Sequence, residues 1–464
     1  MRSLTIGAAL LVLLTSNTVI AANVTLPNAE RVVLESGTVL LLSENHDVPL
    51  IGLHAVVRGG AAADPADKHG LAGLLAELLE KGSGDRSSAE FAEAVASVGG
   101  EISASAGLES LSVSAEFMSK DAELMVELLS DVLQRPALDA DEFRKLRDRS
   151  IYLIKAAKGS DPSNLMPAYA SAFLFGDHPY GNPVGGSESS LARITHGDLM
   201  AYYADMFGGD RLIISVSGDF EVAAMRDALT SAFGAWRAAA GTMVEIAAPV
   251  PVDSSRVFLI DKPGATQTYF RIGNVGVAKS FARRAELDLA NTVFGGRFTS
   301  MLMTELRTKS GLSYSARSIL SRYSQSGSVF INSFTEVGTT IEAIDVALGT
   351  LGQLRDSGLD ETMARSAENY VMGQFPPRME TAAQLAQIFA MLEADGLDNS
   401  YINAYGESLS VATPESIAAV IDQVYPASEQ LVFVILGDAE TIREHVARYG
   451  PITEIWISEP RFHP

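Results

Sequence analysis

The sequence predicts an α+β fold of two tandem homologous halves, each a mostly antiparallel sheet packed with helices. Two β-branched runs, 212–219 and 431–438, both end in Gly-Asp before a helix start. Helices predicted near 121–134 and 340–355 each run into Leu-Asp and a second helix. Both matches recur at about 220 residues, which favours an internal duplication. Because the long helices do not alternate strictly with strands, α+β is favoured over a doubly wound parallel sheet.

The predicted domain organisation has four parts. Residues 1–22 are a signal peptide, 23–240 the first half, 241–252 a linker and 253–464 the second half. An Ala-Ala-Ala-Gly run and a Pro-Val-Pro triplet are typical of a linker. The leader combines an early Arg, a short apolar core and a small-residue cleavage site. Its apolar run is shorter than the ~20 residues of a membrane-spanning helix, so cleavage is favoured over a retained anchor.

The elements of the first half follow from the periodicity of its apolar residues. Strands are predicted near 31–35, 38–43, 49–58, 100–106, 110–117 and 211–218. Helices are predicted near 67–81, 87–98, 120–134, 139–158 and 189–205. In the helix at 67–81, apolar side chains recur at i, i+3, i+4, i+7 and i+8, which is the pattern of one buried stripe.

Composition narrows the class of function. The chain has 464 residues, a formal net charge of -22 and no cysteine. The negative charge disfavours binding to nucleic acid or to an anionic membrane surface. Without cysteine the chain has no disulfide, no thiol nucleophile and no lipid anchor through an N-terminal Cys. Together with the leader, these features predict a bacterial periplasmic or extracellular protein without a stable membrane anchor.

Several motifs occur in an order that resembles the insulinase/pitrilysin-type metallopeptidase family. The first half has Gly-Gly pairs at 59–60 and 99–100 on either side of the helix at 70–82, followed by the loop Phe-Gly-Asp-His-Pro-Tyr-Gly-Asn-Pro at 175–183. The second half has Phe-Gly-Gly-Arg-Phe-Thr-Ser-Met-Leu at 294–302 and Gly-Leu-Ser-Tyr at 311–314. The resemblance implies the processing-peptidase-like fold of two similar halves.

The resemblance also shows that the metal site of the family is degenerate in this chain. Catalytic members carry H-x-x-E-H on the first-half helix, where two His bind zinc and the Glu activates water. Those positions are Gly73, Ala76 and Glu77 here, and the third ligand position is Leu153. Since a catalytic zinc needs three protein ligands, the resemblance implies no metal site in this chain.

The remaining sequence offers no other recognisable catalytic centre. Its seven His form neither H-x-x-x-H nor H-x-x-E-H, and there is no G-x-S-x-G nucleophile elbow. His178 lies in the His-Pro-Tyr loop, where a structural role is favoured over metal ligation.

The second-half motif is better preserved. In heterodimeric family members an Arg and a Tyr seven residues apart reach the substrate at the partner's zinc and stabilise the oxyanion. These positions are Arg307 and Tyr314, and the glycines at 295 and 296 (Gly295, Gly296) match a loop near the bound peptide. A guanidinium and a phenol suit that chemistry as hydrogen-bond donors. The alternative is a surface Arg and a core aromatic without function.

The resemblance therefore implies a non-catalytic subunit of a periplasmic zinc metallopeptidase. Its partner would be a homologous H-x-x-E-H chain that holds the zinc, and the pair would close around a peptide. This chain would bind no cofactor itself. The alternative is an inactive peptide-binding or assembly protein with the same fold, and a third is a hydrolase with an unrecognised site. Whether the chain pairs with itself or with a homologue stays open.

Overall fold

The computed structural model describes residues 25–464, so the predicted leader lies outside the described residues. The strands are β1 (Glu30–Val33), β2 (Val39–Glu44), β3 (Leu50–Arg58), β4 (Gly82–Ser83), β5 (Arg86–Ser87), β6 (Glu101–Ala106), β7 (Ser110–Met118), β8 (Leu212–Gly218), β9 (Arg256–Asp261), β10 (Gln267–Val275), β11 (Ala316–Arg322), β12 (Gly327–Glu336), β13 (Val432–Gly437) and β14 (Ile452–Trp456).

The helices in the same residues are α1 (Leu71–Leu79), α2 (Ser88–Ser97), α3 (Ala122–Gln134), α4 (Ala140–Ser160), α5 (Met166–Phe175), α6 (Glu188–Arg193), α7 (His196–Met206), α8 (Val222–Phe233), α9 (Arg284–Asn291), α10 (Met301–Met303), α11 (Thr340–Ser357), α12 (Glu361–Gln374), α13 (Ala382–Ala394), α14 (Ser400–Asn403), α15 (Tyr405–Ser410), α16 (Pro414–Val424) and α17 (Ala439–Val446). Across residues 25–464, none of the helices is long and apolar enough to cross a membrane.

Each half builds one six-stranded sheet, which confirms the predicted fold class. The first sheet has the order β1-β2-β8-β3-β7-β6 and the second the order β11-β12-β10-β13-β9-β14. In the first sheet only the β2–β8 pair is parallel, and in the second β9 pairs in parallel with β13 and β14. The two Gly-Asp runs are the equivalent strands β8 and β13, each paired with the first long strand of its half.

Two helix predictions of the first half need correction. The helix predicted at 189–205 is two helices, because Thr195 begins α7 with a capping box to Asp198. The helix predicted from residue 67 begins at Leu71, because the buried Asp64 carboxylate accepts hydrogen bonds from the backbone N–H groups of the first turn.

The two halves exchange a helix. The first-half helix α5, absent from the sequence prediction, packs on the second sheet, where Phe173 stacks on Phe258 with ring centroids 4.8 Å apart. The second-half helix α13 packs on the first sheet, where Phe389 and Ala390 cover Val56 and neighbouring strand residues. Each sheet is therefore covered on one face by its own helices and on the other by a helix of the opposite half.

A carboxylate joins the hairpins of the two halves. Glu109, in the β6–β7 turn, accepts hydrogen bonds from the backbone N–H of Ser324 in the β11–β12 turn and from the hydroxyl of Tyr180. Both ring nitrogens of His178 are engaged locally, one with the backbone N–H of Tyr180 and one with the carbonyl of Ala247. These contacts favour the structural role predicted for the His-Pro-Tyr loop.

The buried histidine on β3 predicts an acid sensitivity. His54 is 5% exposed, and burial lowers its pKa to about 4. Because the unfolded chain binds the proton near pH 6.5 and the folded chain only near pH 4, acidification through this window favours unfolding. We expect His54 to account for a loss of about 3 kcal/mol of stability between these pH values.

Chemical unfolding gives the free energy of unfolding of the wild type and of His54→Gln at several pH values. The loss is the part of the pH dependence of this free energy that disappears in His54→Gln. The exposed His445 on α17 provides the control substitution, His445→Gln, which changes the same kind of side chain outside the core. If the free energy of unfolding changes with pH by the same amount in the wild type and in His54→Gln, the prediction is wrong.

Candidate functional site

The degenerate metal positions lie on two first-half helices that pack together. Gly73, Ala76 and Glu77 are on α1, and Leu153 is on the neighbouring helix α4. Glu77 is exposed and Leu153 is 51% exposed, whereas Ala76 is 2% exposed and belongs to the first-half core. The two helices that carry the metal positions thus pack together. Of these positions, however, Glu77 and Leu153 face solvent, whereas Ala76 faces the first-half core.

These residues do not fit a zinc ion. Of the four positions only Glu77 carries a donor atom, and catalytic zinc sites use three protein ligands. A Cβ atom at Gly73 would lie 2.7 Å from the carbonyl oxygen of Val184, so the backbone of the loop before α6 occupies the space of a side chain. The part of the chain from 25 to 464 has no group of three or more His, Cys, Asp or Glu that could hold a metal.

Restoring the donors is therefore not expected to restore zinc binding. The substitutions are Gly73→His, Ala76→Glu, Glu77→His and Leu153→Glu in one chain. Two of them add side chains where the fold has no space, and such overpacking costs about 1–3 kcal/mol each. We expect a lower melting temperature and less than one zinc per chain by metal analysis after dialysis.

The control carries only Glu77→His and Leu153→Glu, at the two exposed positions, and should melt like the wild type. One tightly held zinc per chain in the fourfold variant would contradict the prediction.

The structure brings Arg307 and Tyr314 together. Arg307 lies on a π-helical segment, Thr304–Lys309, and Tyr314 precedes β11. The guanidinium carbon of Arg307 is 4.3 Å from the centroid of the Tyr314 ring. Tyr314 is 72% exposed, so it is not a core aromatic residue.

Phe298 is a third member of this group that sequence reasoning missed. Its ring is 69% exposed, and its centroid lies 4.9 Å from the guanidinium carbon of Arg307. We call Phe298, Arg307 and Tyr314 the stacked cluster. Phe298 lies inside the motif at 294–302, but its distance from Arg307 along the chain does not predict that the two side chains are in contact.

The donors of the stacked cluster are left without protein acceptors. Glu305, on the same segment as Arg307, forms its ion pair with Lys309 at 2.8 Å. Within residues 25–464 the Arg307 guanidinium has aromatic neighbours but no hydrogen-bond or ion-pair partner. Stacking orients a guanidinium while leaving its edge N–H groups available. The cluster can therefore donate hydrogen bonds to a carbonyl or carboxylate.

The Gly-Gly loop leads directly into the stacked cluster. Helix α9 continues into a π-helical turn, Thr292–Gly296, and such turns are frequent at functional sites. A Cβ atom at Gly295 would overlap the backbone nitrogen of Ser318 on β11, which explains the glycine. Gly295 is buried and Gly296 is exposed two residues before Phe298. Contact with a bound peptide stays a prediction for this loop.

Comparison with known families gives two matches along the chain. Residues 39–188 match the insulinase family, peptidase family M16, and residues 193–366 match the peptidase M16 inactive domain. Together the two matches span more than half of the chain.

Similar proteins include a named zinc protease and a named non-peptidase homolog. The chain is 28% identical over 319 residues to an uncharacterized zinc protease of Mycobacterium leprae, covering 68% of this chain and 71% of that protein. It is 23% identical over 349 residues to a non-peptidase homolog of Helicobacter pylori, covering 74% and 78%.

Solved structures share the fold. The crystal structure of a peptidase M16 inactive domain from Pseudomonas fluorescens superposes with a TM-score of 0.82 at 20% identity, covering 88% of this chain and 98% of that one. The periplasmic protease PqqL from Escherichia coli gives a TM-score of 0.75 at 14% identity, covering 89% of this chain and 46% of PqqL.

Proposed function

We propose a role in peptide binding from the premise that this chain belongs to the insulinase (M16) peptidase family. In this proposal it is the non-catalytic subunit of a periplasmic zinc metallopeptidase, in which it closes the chamber around a peptide. One observation carries the proposal. The metal positions are closed to zinc, while Arg307 and Tyr314 are stacked with donors free for a substrate.

The chemistry of the stacked cluster suits a peptide whose carbonyl is under attack. The Arg307 guanidinium offers several N–H donors in one plane, and the Tyr314 phenol offers one neutral O–H donor. In this proposal Arg307 binds a carbonyl of the extended peptide and Tyr314 donates to the oxyanion that forms at the scissile carbonyl. Donors arranged before the reaction stabilise such an oxyanion by about 3 kcal/mol each.

The partner in this proposal is a homologous chain that carries H-x-x-E-H and holds the zinc. Zinc binding by one chain and substrate orientation by the other is physically reasonable, because a chamber needs one metal centre and its opposite wall can orient the substrate. The periplasmic location rests on the predicted leader at 1–22.

The test is a peptidase assay with metal analysis on three preparations: this chain, the H-x-x-E-H homologue encoded nearest to it, and both chains co-expressed. A quenched peptide library serves as substrate. We expect this chain alone to hold no stoichiometric zinc and to cleave nothing, and the pair to cleave faster than the homologue alone.

The other outcomes discriminate between the alternatives. Zinc-dependent cleavage by this chain alone would overturn the proposal. If the homologue cleaves equally well alone, the chain is better explained as an inactive binding or assembly protein with the same fold.

A further inference from the structure

A polar cavity in the second half lies apart from the degenerate metal positions. It has a volume of about 690 Å³ and lies between α9, α12, α13 and the β11–β12 hairpin. Its charged lining residues are Arg284, Asp288, Arg322 and Arg378. By element order, α9 and α12 occupy in the second half the places that α1 and α4 occupy in the first. The cavity thus lies beside the second-half counterparts of α1 and α4.

The single carboxylate that lines the cavity is already neutralised. One oxygen of Asp288 accepts a hydrogen bond from Arg322, and the other accepts one from the Tyr405 hydroxyl at 2.7 Å. The negative charge of Asp288 is therefore already matched by the positive charge of Arg322.

Two further guanidinium groups line the cavity without a carboxylate partner. Arg284 lies over the rings of Tyr401 and Tyr405, at 3.5 and 4.1 Å from their centroids, and donates to the carbonyl of Tyr401. Arg378 is exposed on the turn that precedes α13. In the described part of the chain neither Arg284 nor Arg378 forms an ion pair. The cavity consequently carries uncompensated positive charge.

This charge is unusual in a chain with 57 acidic and 35 basic residues. A cavity of several hundred Å³ with a few polar groups has the size of a small-ligand site. Guanidinium groups match carboxylate and phosphate oxygens in geometry as well as charge. The amides of Gln374 and Gln387 add neutral donors to the lining.

From these observations we propose that the cavity binds an oxyanion, either the carboxylate of an acidic peptide or free phosphate. Arg284, held in place by its two tyrosines, and the exposed side chain of Arg378 would supply the charge-assisted hydrogen bonds. Gly296 lines the same cavity and Phe298 follows it in the chain, so the site adjoins the stacked cluster. The proposal stands without the peptidase role, because it depends only on this chain.

The test is isothermal titration of the full chain at low salt with three probes. These are inorganic phosphate, N-acetyl-Glu-Glu-amide and the uncharged N-acetyl-Gln-Gln-amide. We expect saturable binding of at least one oxyanion and none of the uncharged peptide. The binding should weaken as salt is added. Binding of phosphate alone, or of the acidic peptide alone, identifies the source of the oxyanion.

Two variants of lining residues, Arg378→Gln and Arg284→Lys, and one control variant test whether the binding takes place in the cavity. Arg378→Gln removes an exposed donor and should weaken binding about tenfold or more. Arg365→Gln, on an exposed position of α12 outside the lining, is the matched control and should bind like the wild type. The proposal is overturned if the wild type shows no saturable binding up to about 10 mM. It is also overturned if Arg378→Gln and Arg284→Lys, both folded by thermal melting, bind like the wild type.

Discussion

Arg307→Ala is expected to lower kcat/KM of the two-chain peptidase by about 100-fold, because it removes the charged donor of the stacked cluster. Loss of a donor used only in the transition state lowers kcat, whereas loss of a donor used equally by the bound substrate raises KM. Steady-state cleavage of a quenched peptide by the co-expressed pair measures both constants. The folded state of each variant is checked by thermal melting.

Two conservative variants separate the roles within the stacked cluster. Tyr314→Phe removes the hydroxyl and keeps the ring on Arg307, so we expect a lower kcat with little change in KM. Phe298→Leu keeps an apolar side chain and removes the other ring, so we expect a several-fold higher KM from a less well oriented guanidinium.

Arg317→Ala provides a control, since Arg317 is an exposed residue of β11 outside the stacked cluster. Equal rates for the wild type, Arg307→Ala and Tyr314→Phe would contradict the substrate-binding role. If those two variants are slow but Phe298→Leu is not, the role of Arg307 and Tyr314 stands and Phe298 is only a neighbour.

Gly52→Ala is expected to destabilise the chain by about 3 kcal/mol or more, although it adds a single methyl group. Gly52 lies on β3 beneath α13, and a Cβ atom there would overlap the backbone nitrogen of Ala383. Because the obstacle is backbone, the whole helix must move away from the first sheet. That movement exposes Val56 and Ile213, which α13 keeps from water.

Chemical unfolding measures the loss, and limited proteolysis shows whether α13 is released. The same chemical change at Gly349, an exposed position of α11 with open space around its Cβ, is the matched control. Gly349→Ala should stabilise the helix slightly, by about 0.5–1 kcal/mol. A Gly52→Ala variant as stable as the wild type would show that α13 is not tightly docked on β3.

Local sequence patterns predicted most of the elements and the degenerate metal site. Runs of apolar and β-branched residues located the six strands of the first sheet to within a residue or two, whereas the two-residue strands β4 and β5 were not predicted. The absence of donor atoms at 73, 76 and 153 follows from residue identity alone. The order of the motifs predicted the family and selected Arg307 and Tyr314 as candidate residues, and the structure places these two side chains in contact.

Helix α5 is an element that local sequence patterns did not predict. Residues 166–175 are apolar on nearly every side, so they lack the polar face that identifies an amphipathic helix. Only the structure shows the reason, which is that α5 is buried beneath the sheet of the opposite half. The boundary between α6 and α7 could have been predicted from the sequence, because Thr195 and Asp198 have the spacing of a capping box.

By itself, the sequence determined where most strands and helices lie, which chemistry is missing and which donors remain, because these depend on residue type and local periodicity. Tertiary structure alone decided which surfaces meet. It placed α5 and α13 on opposite sheets, Phe298 against Arg307, and three arginines around one carboxylate. Such contacts join residues far apart in the chain, and their specificity comes from the shape of packed surfaces, which no local pattern encodes.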